Sequence, residues 1–489
     1  MNNGLGQHVS ERRARSEEIR QWADATALDR HKWRQRNRYF RQLDEEYLQF
    51  LIPSGLRVLA LGCGTGKKLA ELRPAHGVGV DFSEKKVLLA KRTYPSLTFI
   101  EGDVEDAKTL SQIVAKGPFD IILLDDILGF VDDIQEFLRN IRPLCSAETR
   151  VISVYYAYFW EPIMKLAERV GLKMPTINVT WLRMTDVEQF MALGGFQTVK
   201  KEWRILLPRY CLGLGPLINK FVGTLPVIRK LSLRHYLVAR IPTAAASVSS
   251  NYSVSIAIPC RNERGNIEDA VIRIPEFGSN TEIIFVEGHS TDGTWEEIQR
   301  VKQLYTNKDI TVVRQPGRGK GDAVRKAFDL AKGEILIILD ADLTVPPEDL
   351  PKFYEELVSG RAEFVNGTRL VYPMEYRAMK FLNYLANRMF ALLFTFILNQ
   401  NFTDTLCGTK ALTKKSYQRI ADSRGYFGEF DPFGDFDLIF GATKLNLKIA
   451  EIPIRYRSRV YGETQISRFS HGLLLIRMVI FAFWKLKVI

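Results

Sequence analysis

Short apolar strands alternate with helical stretches along this chain, and the pattern starts twice, near residue 57 and again near residue 254. Such alternation is typical of α/β domains built on mostly parallel sheets. Between the two runs, residues 242–251 read PTAAASVSSN, small and polar side chains that bury little surface and suit a linker. At 489 residues the chain is also too long for one core. We therefore predict two α/β domains, residues 1–241 and 252–489, joined by a linker at 242–251.

A glycine-rich loop follows the first predicted strand of the N-terminal domain. Residues 57–61 (RVLAL) run into GCGTG at 62–66, and a helical stretch comes next. Glycines let the backbone approach a ligand closely, and a helix N-terminus offers free N–H groups to an anionic moiety. Asp81 stands at the offset of a carboxylate that accepts ribose hydroxyls, and Asp103 at the next strand end can meet an adenine amino group. With Asp126 after the fourth strand, the order predicts a nucleotide-binding crevice.

These four motifs, in this order, resemble those of the class I S-adenosylmethionine-dependent methyltransferases over about residues 34–205. The resemblance implies a Rossmann-like fold with S-adenosylmethionine as the methyl donor. The residues that it implies for cofactor binding are Gly62, Gly64, Gly66, Asp81, Asp103, Val104 and Asp126. One position departs from the pattern, because Ala60 stands where relatives carry an acidic residue. A domain that binds a nucleotide without catalysing methyl transfer therefore stays open.

Several segments predict contact with a membrane surface. The net charge is +12, and residues 206–240 mix leucine-rich turns with Pro, Gly and basic residues but contain no acidic side chain. A basic amphipathic segment of this kind suits an anionic lipid surface, although a hairpin packed on the neighbouring domain is the alternative. The apolar runs 389–398 and 473–484 are too short to span a bilayer, so we expect either interfacial or core helices.

The remaining composition limits the location and the partners. Residues 1–40 are strongly charged and predict a helical arm ahead of the first domain. The five cysteines show no CxxC spacing, which argues against a zinc site or a disulfide framework and fits a reducing compartment. No recognition helix, finger spacing or aromatic stacking sheet is evident, so we expect no nucleic-acid partner. We predict a cytoplasmic protein associated peripherally with the cytoplasmic face of the membrane.

The C-terminal domain carries a pair of carboxylates at the end of an apolar strand. Residues 334–339 (EILIIL) run directly into Asp340-Ala341-Asp342. In an extended segment, residues i and i+2 point to the same side, so both carboxylates can face one hard cation. A divalent metal there can bridge the two phosphates of a nucleoside diphosphate leaving group. The pattern predicts a metal-dependent site for a nucleotide sugar.

The ordered motifs of this half resemble glycosyltransferase family 2, and more closely the dolichyl-phosphate mannose synthase group, over about residues 252–470. The matching pieces are IAIPCRNERGNI, FVEGHSTDGT, LDADLTVPPEDL, FVNGTRL, DTLCGTKAL, FGDFDLIFGA and RVYGETQIS. The resemblance implies a GT-A fold and an inverting transfer from a nucleotide sugar to a polyprenyl phosphate. Glu287-Gly288 departs from the usual pair of aspartates in the second motif, which leaves the donor open.

The resemblance also implies a role for each matching position. It assigns the nucleoside to Pro259, Glu263 and Glu287, and the diphosphate with Mg²⁺ or Mn²⁺ to Asp340, Ala341 and Asp342. It assigns the sugar and acceptor cleft to Arg369 and Asp404, the later acidic motif and possible base to Asp435 or Asp437, and further diphosphate contact to Arg459.

Together the two halves predict a bifunctional membrane-associated enzyme. One half would glycosylate a polyprenyl-phosphate or lipid-linked acceptor, and the other would methylate the product or a related glycan. The alternative is a glycan-elongating or protein glycosyltransferase whose N-terminal half is a non-catalytic nucleotide-binding module.

Overall fold

The computed structural model of the protein describes residues 15–27, 29–177, 179–242, 251–372, 381–426, 436–462 and 468–488. The chain divides into two compact units, one of residues 1–242 with 487–489 and the other of residues 243–486. Most of the predicted linker at 242–251 lies outside the described residues. Both units are α/β, and the predicted fold class is confirmed.

The first unit is built on a seven-stranded sheet in the order β3-β2-β1-β4-β5-β7-β6. Its strands are β1 (Arg57–Leu61), β2 (His76–Asp81), β3 (Thr98–Glu101), β4 (Ile121–Asp125), β5 (Arg150–Tyr156), β6 (Gln197–Arg204) and β7 (Arg234–Arg240). Strands β1 to β5 pair in parallel, whereas β7 runs antiparallel to β5 and β6. The strand order reverses beside β1, and ligands of such sheets bind at that point, outside the carboxyl ends of the strands.

Helices cover the first sheet because each presents one apolar stripe to it. In Ile134–Ile141, for example, the buried side chains are Ile134, Phe137, Leu138 and Ile141, spaced three and four residues apart. Besides the helical arm at residues 15–25, the α-helices described in this unit are Arg30–Arg36, Arg38–Leu51, Lys67–Glu71, Glu84–Thr93, Ala107–Val114, Ile134–Ile141, Glu161–Arg169, Met184–Leu193 and Leu214–Leu217. Short 3₁₀ and π turns connect them at Ile127–Gly129, Arg142–Leu144, Tyr158–Trp160, Cys211–Gly213, Ile218–Val222 and Ile228–Leu231.

The fold corrects part of the prediction for residues 206–240. The last seven residues of that segment form β7, a fully buried strand between β5 and β6. Their arginine side chains have partners inside the unit and are not presented to lipid, since Arg234 binds carboxylates and Arg240 donates to Gln197 Oε1 at 3.0 and 3.1 Å. Only the part that precedes β7 remains a candidate for a membrane surface.

The second unit has a seven-stranded sheet in the order β10-β9-β8-β11-β13-β12-β14. Its strands are β8 (Val254–Cys260), β9 (Thr281–Glu287), β10 (Asp309–Arg314), β11 (Ile335–Ile338), β12 (Phe364–Thr368), β13 (Lys410–Thr413) and β14 (Ile449–Pro453). All neighbours pair in parallel except β13, which is antiparallel to β11 and β12. Three of the motifs quoted above, those that begin at residues 256, 285 and 339, lie at the carboxyl ends of β8, β9 and β11, so they meet at one edge of the sheet.

The second unit also contains eight described α-helices. These are Ile267–Arg273, Thr294–Leu304, Lys320–Leu330, Leu350–Val358, Phe381–Leu398, Lys414–Asp422, Phe436–Lys444 and Arg468–Leu486, with 3₁₀ turns at Arg264–Asn266, Pro347–Asp349 and Arg424–Tyr426. The apolar runs 389–398 and 473–484 lie in two of these helices, which pack against each other. In the part of the chain that the structure describes, no helix combines the length and the hydropathy that crossing a bilayer requires.

Candidate active sites

Two carboxylates stand next to cationic side chains at the carboxyl edge of the second sheet. Lys320 Nζ lies 2.6 Å from Asp340 Oδ1, and Arg459 Nη2 lies 2.7 Å from Asp342 Oδ2. The second oxygen of Asp342 accepts from the backbone N–H and the hydroxyl of Thr344 at 3.1 and 2.8 Å. Burial acts to raise the pKa of Asp340, but the neighbouring Lys320 holds that pKa below its usual range. Both carboxylates therefore lie against a positively charged side chain.

The oxygen donors of Asp340 and Asp342 fit a divalent cation of the Mg²⁺ or Mn²⁺ type. Such ions use one or two protein carboxylates and complete their shell with water and phosphate oxygens. Among the residues described, no cluster of three or more His, Cys, Asp or Glu side chains could hold a metal ion by itself.

Arg459 joins Asp342, a predicted metal ligand, to Glu263, a predicted nucleoside contact. Its Nη1 lies 2.9 Å from Glu263 Oε1, while Nη2 binds Asp342. Asn266 Nδ2 donates to the other oxygen of Glu263 at 2.7 Å, and burial raises the pKa of Glu263 to about 7. The segment that carries Arg459 is fixed across the loop after Asp342, because Arg457 N donates to Thr344 O at 2.9 Å. Three predicted residues from distant parts of the chain thus meet.

The other predicted nucleoside residues shape the same edge. Pro259 pairs with Val286 in the register of β8 and β9, and Ala341 is buried between the two carboxylates. Glu287 ends β9, and its Oε1 accepts from the backbone N–H of Ser290 at 2.5 Å. The Glu287 carboxylate thereby fixes the loop that follows it.

Arg369 and Asp404 form a two-pronged ion pair. Arg369 Nε and Nη2 donate to the two oxygens of Asp404 at 2.7 and 2.9 Å, and the backbone N–H of Leu406 donates to Oδ1 at 3.0 Å. Burial acts to raise the pKa of Asp404, but Arg369 holds it below its usual range. Asp404 is fully buried, so its side chain orients Arg369, whose guanidinium lies 5.2 Å from the ring centroid of Tyr456.

The later acidic motif is described only in part. Asp435 lies outside the described residues. Asp437 is at the start of the helix Phe436–Lys444, where Arg424 Nε donates to its Oδ2 at 2.8 Å. A role for either carboxylate as a base stays a prediction.

Lys320 and Gly408 belong to the site but were not assigned from the sequence. Lys320 begins the helix Lys320–Leu330 after Gly319, whose φ of +86° favours glycine. A Cβ on Gly408 would lie 2.0 Å from Asp340 Oδ2 and 2.3 Å from Lys320 Nζ. The GRGKGD sequence at 317–322 could have identified Lys320, since three glycines around a lysine are unusual at the start of a helix.

We expect Gly408→Ala to raise the Mn²⁺ and donor concentrations needed for half-maximal sugar transfer, because the added methyl group would displace Asp340 from its position. The chain is expected to remain folded. The measurement is sugar transfer as a function of Mn²⁺ and donor concentration. Gly425→Ala is the matched control, since nothing lies within 4 Å of a Cβ at that glycine. Equal metal dependence for both variants would show that Asp340 does not depend on this contact.

The glycine loop of the first unit is fixed by Asp81. The backbone N–H of Gly64 donates to Asp81 Oδ2 at 2.8 Å, and that of Ser83 donates to Oδ1 at 3.0 Å. Gly66 has a φ of +76°, and a Cβ there would lie 2.6 Å from the Phe99 ring. Glycine is therefore required for the loop to keep its path beside β2.

A cavity of about 1280 Å³ opens beside this loop. Six of the seven predicted cofactor residues line it, namely Gly62, Gly64, Asp81, Asp103, Val104 and Asp126, whereas Gly66 does not. The N-terminal arm contributes Ser16, Ile19 and Trp22 to the same wall, and Ser16 Oγ donates to Asp103 Oδ2 at 3.2 Å. No sequence motif marks these arm residues, so the sequence analysis missed them. The carboxylates and glycines that line the cavity fit S-adenosylmethionine.

A buried ion network lies under this cavity. Lys68 Nζ binds Asp44 and Asp125, both at 2.7 Å. Arg234 binds the same two carboxylates at 2.9 and 2.7 Å and also binds Asp126. Burial acts to raise the pKa of Asp44, but Arg234 and Lys68 hold it well below its usual range. The pKa of Asp126, in contrast, is raised because its burial outweighs its contact with Arg234.

Comparisons with known proteins match each half separately. A family model described as glycosyl transferase family 2 matches residues 255–421, and one described as methyltransferase domain matches residues 52–188. The dolichol-phosphate mannosyltransferase of Saccharomyces cerevisiae is 30% identical over 230 residues, which are 44% of this chain and 80% of the relative. That of Pyrococcus furiosus is 29% identical over 218 residues, 44% of this chain, and the chain spans only 59% of its length. A crystal structure of magnesium protoporphyrin IX methyltransferase from Synechocystis PCC 6803 is 16% identical, covers 46% of this chain and 99% of its own, and has a TM-score of 0.33.

Proposed function

Because the chain belongs to glycosyltransferase family 2 through its C-terminal half and carries a methyltransferase domain in its N-terminal half, we propose that it is a bifunctional membrane-associated enzyme. The C-terminal half transfers a sugar from a nucleotide donor to a polyprenyl phosphate, with inversion at the anomeric carbon. The N-terminal half methylates the glycosylated product or a related glycan with S-adenosylmethionine.

The observation that carries the glycosyltransferase proposal is the carboxylate pair with its two cations. A divalent ion held by Asp340 and Asp342 would neutralise the diphosphate that leaves the sugar. Lys320 and Arg459 lie within salt-bridge distance of these carboxylates and are placed to contact phosphate oxygens. A polyprenyl phosphate is already ionised, so it needs positioning more than a base. Arg369, held by Asp404, supplies a fixed positive group for that purpose.

Two helices support the proposed membrane association. The exposed apolar side chains of Phe381–Leu398 include Leu385, Met389 and Leu392, and those of Arg468–Leu486 include Leu473, Ile476, Ile480 and Trp484. In both helices these residues recur every three or four positions, so they form one stripe, while the opposite stripe is buried. Helices of this kind lie in the plane of a membrane with the apolar stripe among the acyl chains. We place the protein at the cytoplasmic face.

The cofactor of the N-terminal half supplies an electrophilic methyl group when bound. Asp81, Asp103 and the glycine loop would hold its nucleoside and methionine parts. Asp126 also lines the cavity, and Arg234 holds it in place by donating to its Oδ1. We propose the carboxylate of Asp126 as the proton acceptor. A second candidate function, nucleotide binding without turnover, is favoured by Ala60, which is buried in β1 and offers no carboxylate.

We expect Asp81→Asn to weaken S-adenosylmethionine binding by about tenfold or more, since an amide cannot accept from both backbone N–H groups and carries no charge for the ribose. Isothermal titration calorimetry of the full chain measures the affinity. Asp106→Asn is the control, since Asp106 is exposed and does not line the cavity. Wild-type binding without methylation of any glycosylated product would favour the non-catalytic alternative, and unchanged binding by Asp81→Asn would refute the assigned role.

A further inference from the structure

The cavity of the first unit is larger than a single cofactor requires. Its volume is about 1280 Å³, whereas a pocket for one drug-sized ligand measures about 300–1,000 Å³. Gly64, Asp81 and Asp103 account for the part of its wall assigned to the cofactor. The remaining wall is available to a second ligand, and its side chains indicate the chemistry of that ligand.

Apolar and aromatic side chains form much of this remaining wall. They include Phe40, Tyr156, Trp160, Met164 and Trp181, and the rings of Phe40 and Tyr156 stack at 5.9 Å between centroids. Such side chains offer few hydrogen-bonding groups, so they suit hydrocarbon better than a hydroxyl-rich glycan. The second ligand therefore has an apolar part.

Arginines border the same wall. Arg38, Arg41 and Arg209 line the cavity, and the guanidinium carbon of Arg41 lies 5.5 Å from the ring centroid of Phe40 on the same wall. An anionic ligand group there would meet positive charge beside apolar surface. The guanidinium group matches phosphate oxygens in geometry and charge. The second ligand therefore also has an anionic part.

Exposed apolar side chains lie on two segments that contain or adjoin residues lining the cavity. Ile163 and Leu172 line the cavity and are also exposed on the surface. Phe159 is 61% exposed, Val227 is 78% exposed and Leu212 is fully exposed. We call residues 158–172 and 210–231, which carry these side chains, the apolar rim. Contiguous exposed apolar surface of this kind marks a site of interaction.

The two segments of the apolar rim are held together. Trp160 Nε1 donates to Leu231 O at 2.7 Å, and Arg209 Nη2 donates to Leu172 O at 3.3 Å. Leu212 has a φ of +54°, which lies in the region that favours glycine, and its side chain is nevertheless directed into solvent. The two segments of the apolar rim are thus joined by hydrogen bonds while their apolar side chains remain exposed.

The charge of the apolar rim selects an anionic membrane as its partner. In the segment 158–172, Glu161 and Glu168 are balanced by Lys165 and Arg169, whereas the segment 210–231 contains no Asp or Glu and carries the exposed Lys220 and Lys230. Basic residues at an apolar surface attract anionic lipid headgroups. The rim would therefore bring the mouth of the cavity to the membrane surface.

We infer that the methyl acceptor is a phosphate-bearing lipid that enters the cavity directly from the membrane. Its hydrocarbon lies on the wall around Trp160 and Trp181, and its phosphate binds Arg41. A hydroxyl oxygen of the headgroup forms the bond to the methyl carbon while the carbon–sulfur bond breaks with its electron pair left on sulfur. The hydroxyl proton passes to Asp126. This inference rests on the proposed function, because it takes the cavity as the methyltransferase site.

The first test is binding of farnesyl phosphate to the full chain, followed by tryptophan fluorescence, with S-adenosylmethionine binding measured by calorimetry on the same samples. Farnesyl phosphate is expected to bind saturably, inorganic phosphate to give no response, and Arg41→Met to weaken binding by about tenfold or more. Arg92→Met, at an exposed position, is the control. If S-adenosylmethionine binds but farnesyl phosphate does not, the lipid inference fails alone. If S-adenosylmethionine itself fails to bind, the proposed function fails.

The second test is flotation of the full chain with vesicles of phosphatidylcholine, with and without phosphatidylglycerol. The protein is expected to prefer the anionic vesicles, and Leu212→Asp with Val227→Asp is expected to reduce the bound fraction severalfold. Val114→Asp is the control, since Val114 is exposed outside the apolar rim. Unchanged flotation of the double variant would overturn the role of the rim. Conversion of a dimer to a monomer by that variant, without an effect on flotation, would assign the rim to a second copy of the chain.

Discussion

Replacing Asp342 by asparagine is expected to reduce the turnover of sugar transfer by about 10²–10³-fold, the range found when one preorganised electrostatic group is lost. The variant removes one of the two carboxylates that are predicted to bind the metal ion. It also removes the charge partner of Arg459 Nη2, which lies 2.7 Å away. The loss should appear in kcat and in the Mn²⁺ concentration needed for half-maximal activity, because both depend on the same carboxylate. Steady-state transfer at varied Mn²⁺ measures both quantities.

The control for this variant is Asp309→Asn. Asp309 begins β10, and its carboxylate is partly exposed beside Lys332 at 3.8 Å. The same chemical change there is expected to leave sugar transfer within about twofold, since surface ion pairs contribute little. If Asp342→Asn kept near wild-type turnover with an unchanged Mn²⁺ requirement, the assignment of Asp340 and Asp342 as metal ligands would be wrong.

Replacing Asp44 by alanine is expected to lower the free energy of unfolding of the first unit by about 3–5 kcal/mol, the cost of removing one partner from a buried ion network. Asp44 is fully buried and binds Lys68 at 2.7 Å and Arg234 at 2.9 Å. Without it, two buried cations share the remaining carboxylates Asp125 and Asp126. Urea unfolding of the full chain by tryptophan fluorescence is the measurement, because five of the seven tryptophans lie in the first unit.

Glu161→Ala provides the matched comparison for Asp44. Its carboxylate pairs with the exposed Lys165 one helical turn away, at 2.6 Å. Loss of such a surface pair is expected to change the free energy of unfolding by less than about 0.5 kcal/mol. A loss of under about 1 kcal/mol for Asp44→Ala would mean that the network relaxes or admits water, contrary to our account.

The sequence predicted the two α/β units because their parallel strands are buried on both faces and read as apolar runs. Residues 57–61 and 335–338 are examples, and both end in the motif that was assigned to a site. The sequence pattern did not predict the antiparallel strands β7 and β13 in this way. β13 has only four residues, and β7 carries arginine at both ends, so long-range pairing and buried carboxylates decide their positions.

The candidate site residues could be predicted where they lie close together in the sequence or at a recognisable offset from a motif. Asp340 and Asp342 are neighbours in sequence, and Asp81 follows its loop at a recognisable offset. Asp44 and Ser16 were missed because each reaches its partner from a distant segment; Ser16, for example, is 87 residues from Asp103. Such contacts depend on packing that no local pattern records. The family prediction for both halves is confirmed by the family models and the yeast relative.

The measurement that tests the central claim most directly is transfer of radiolabel from a panel of nucleotide sugars to polyprenyl phosphate by the full chain, with Mn²⁺, with Mg²⁺ and with a chelator. Our account predicts one or more donors that give a labelled lipid in the presence of either metal and none with the chelator. Labelling of glycan or protein acceptors but never of polyprenyl phosphate, or lipid labelling that persists without a divalent ion, would contradict it.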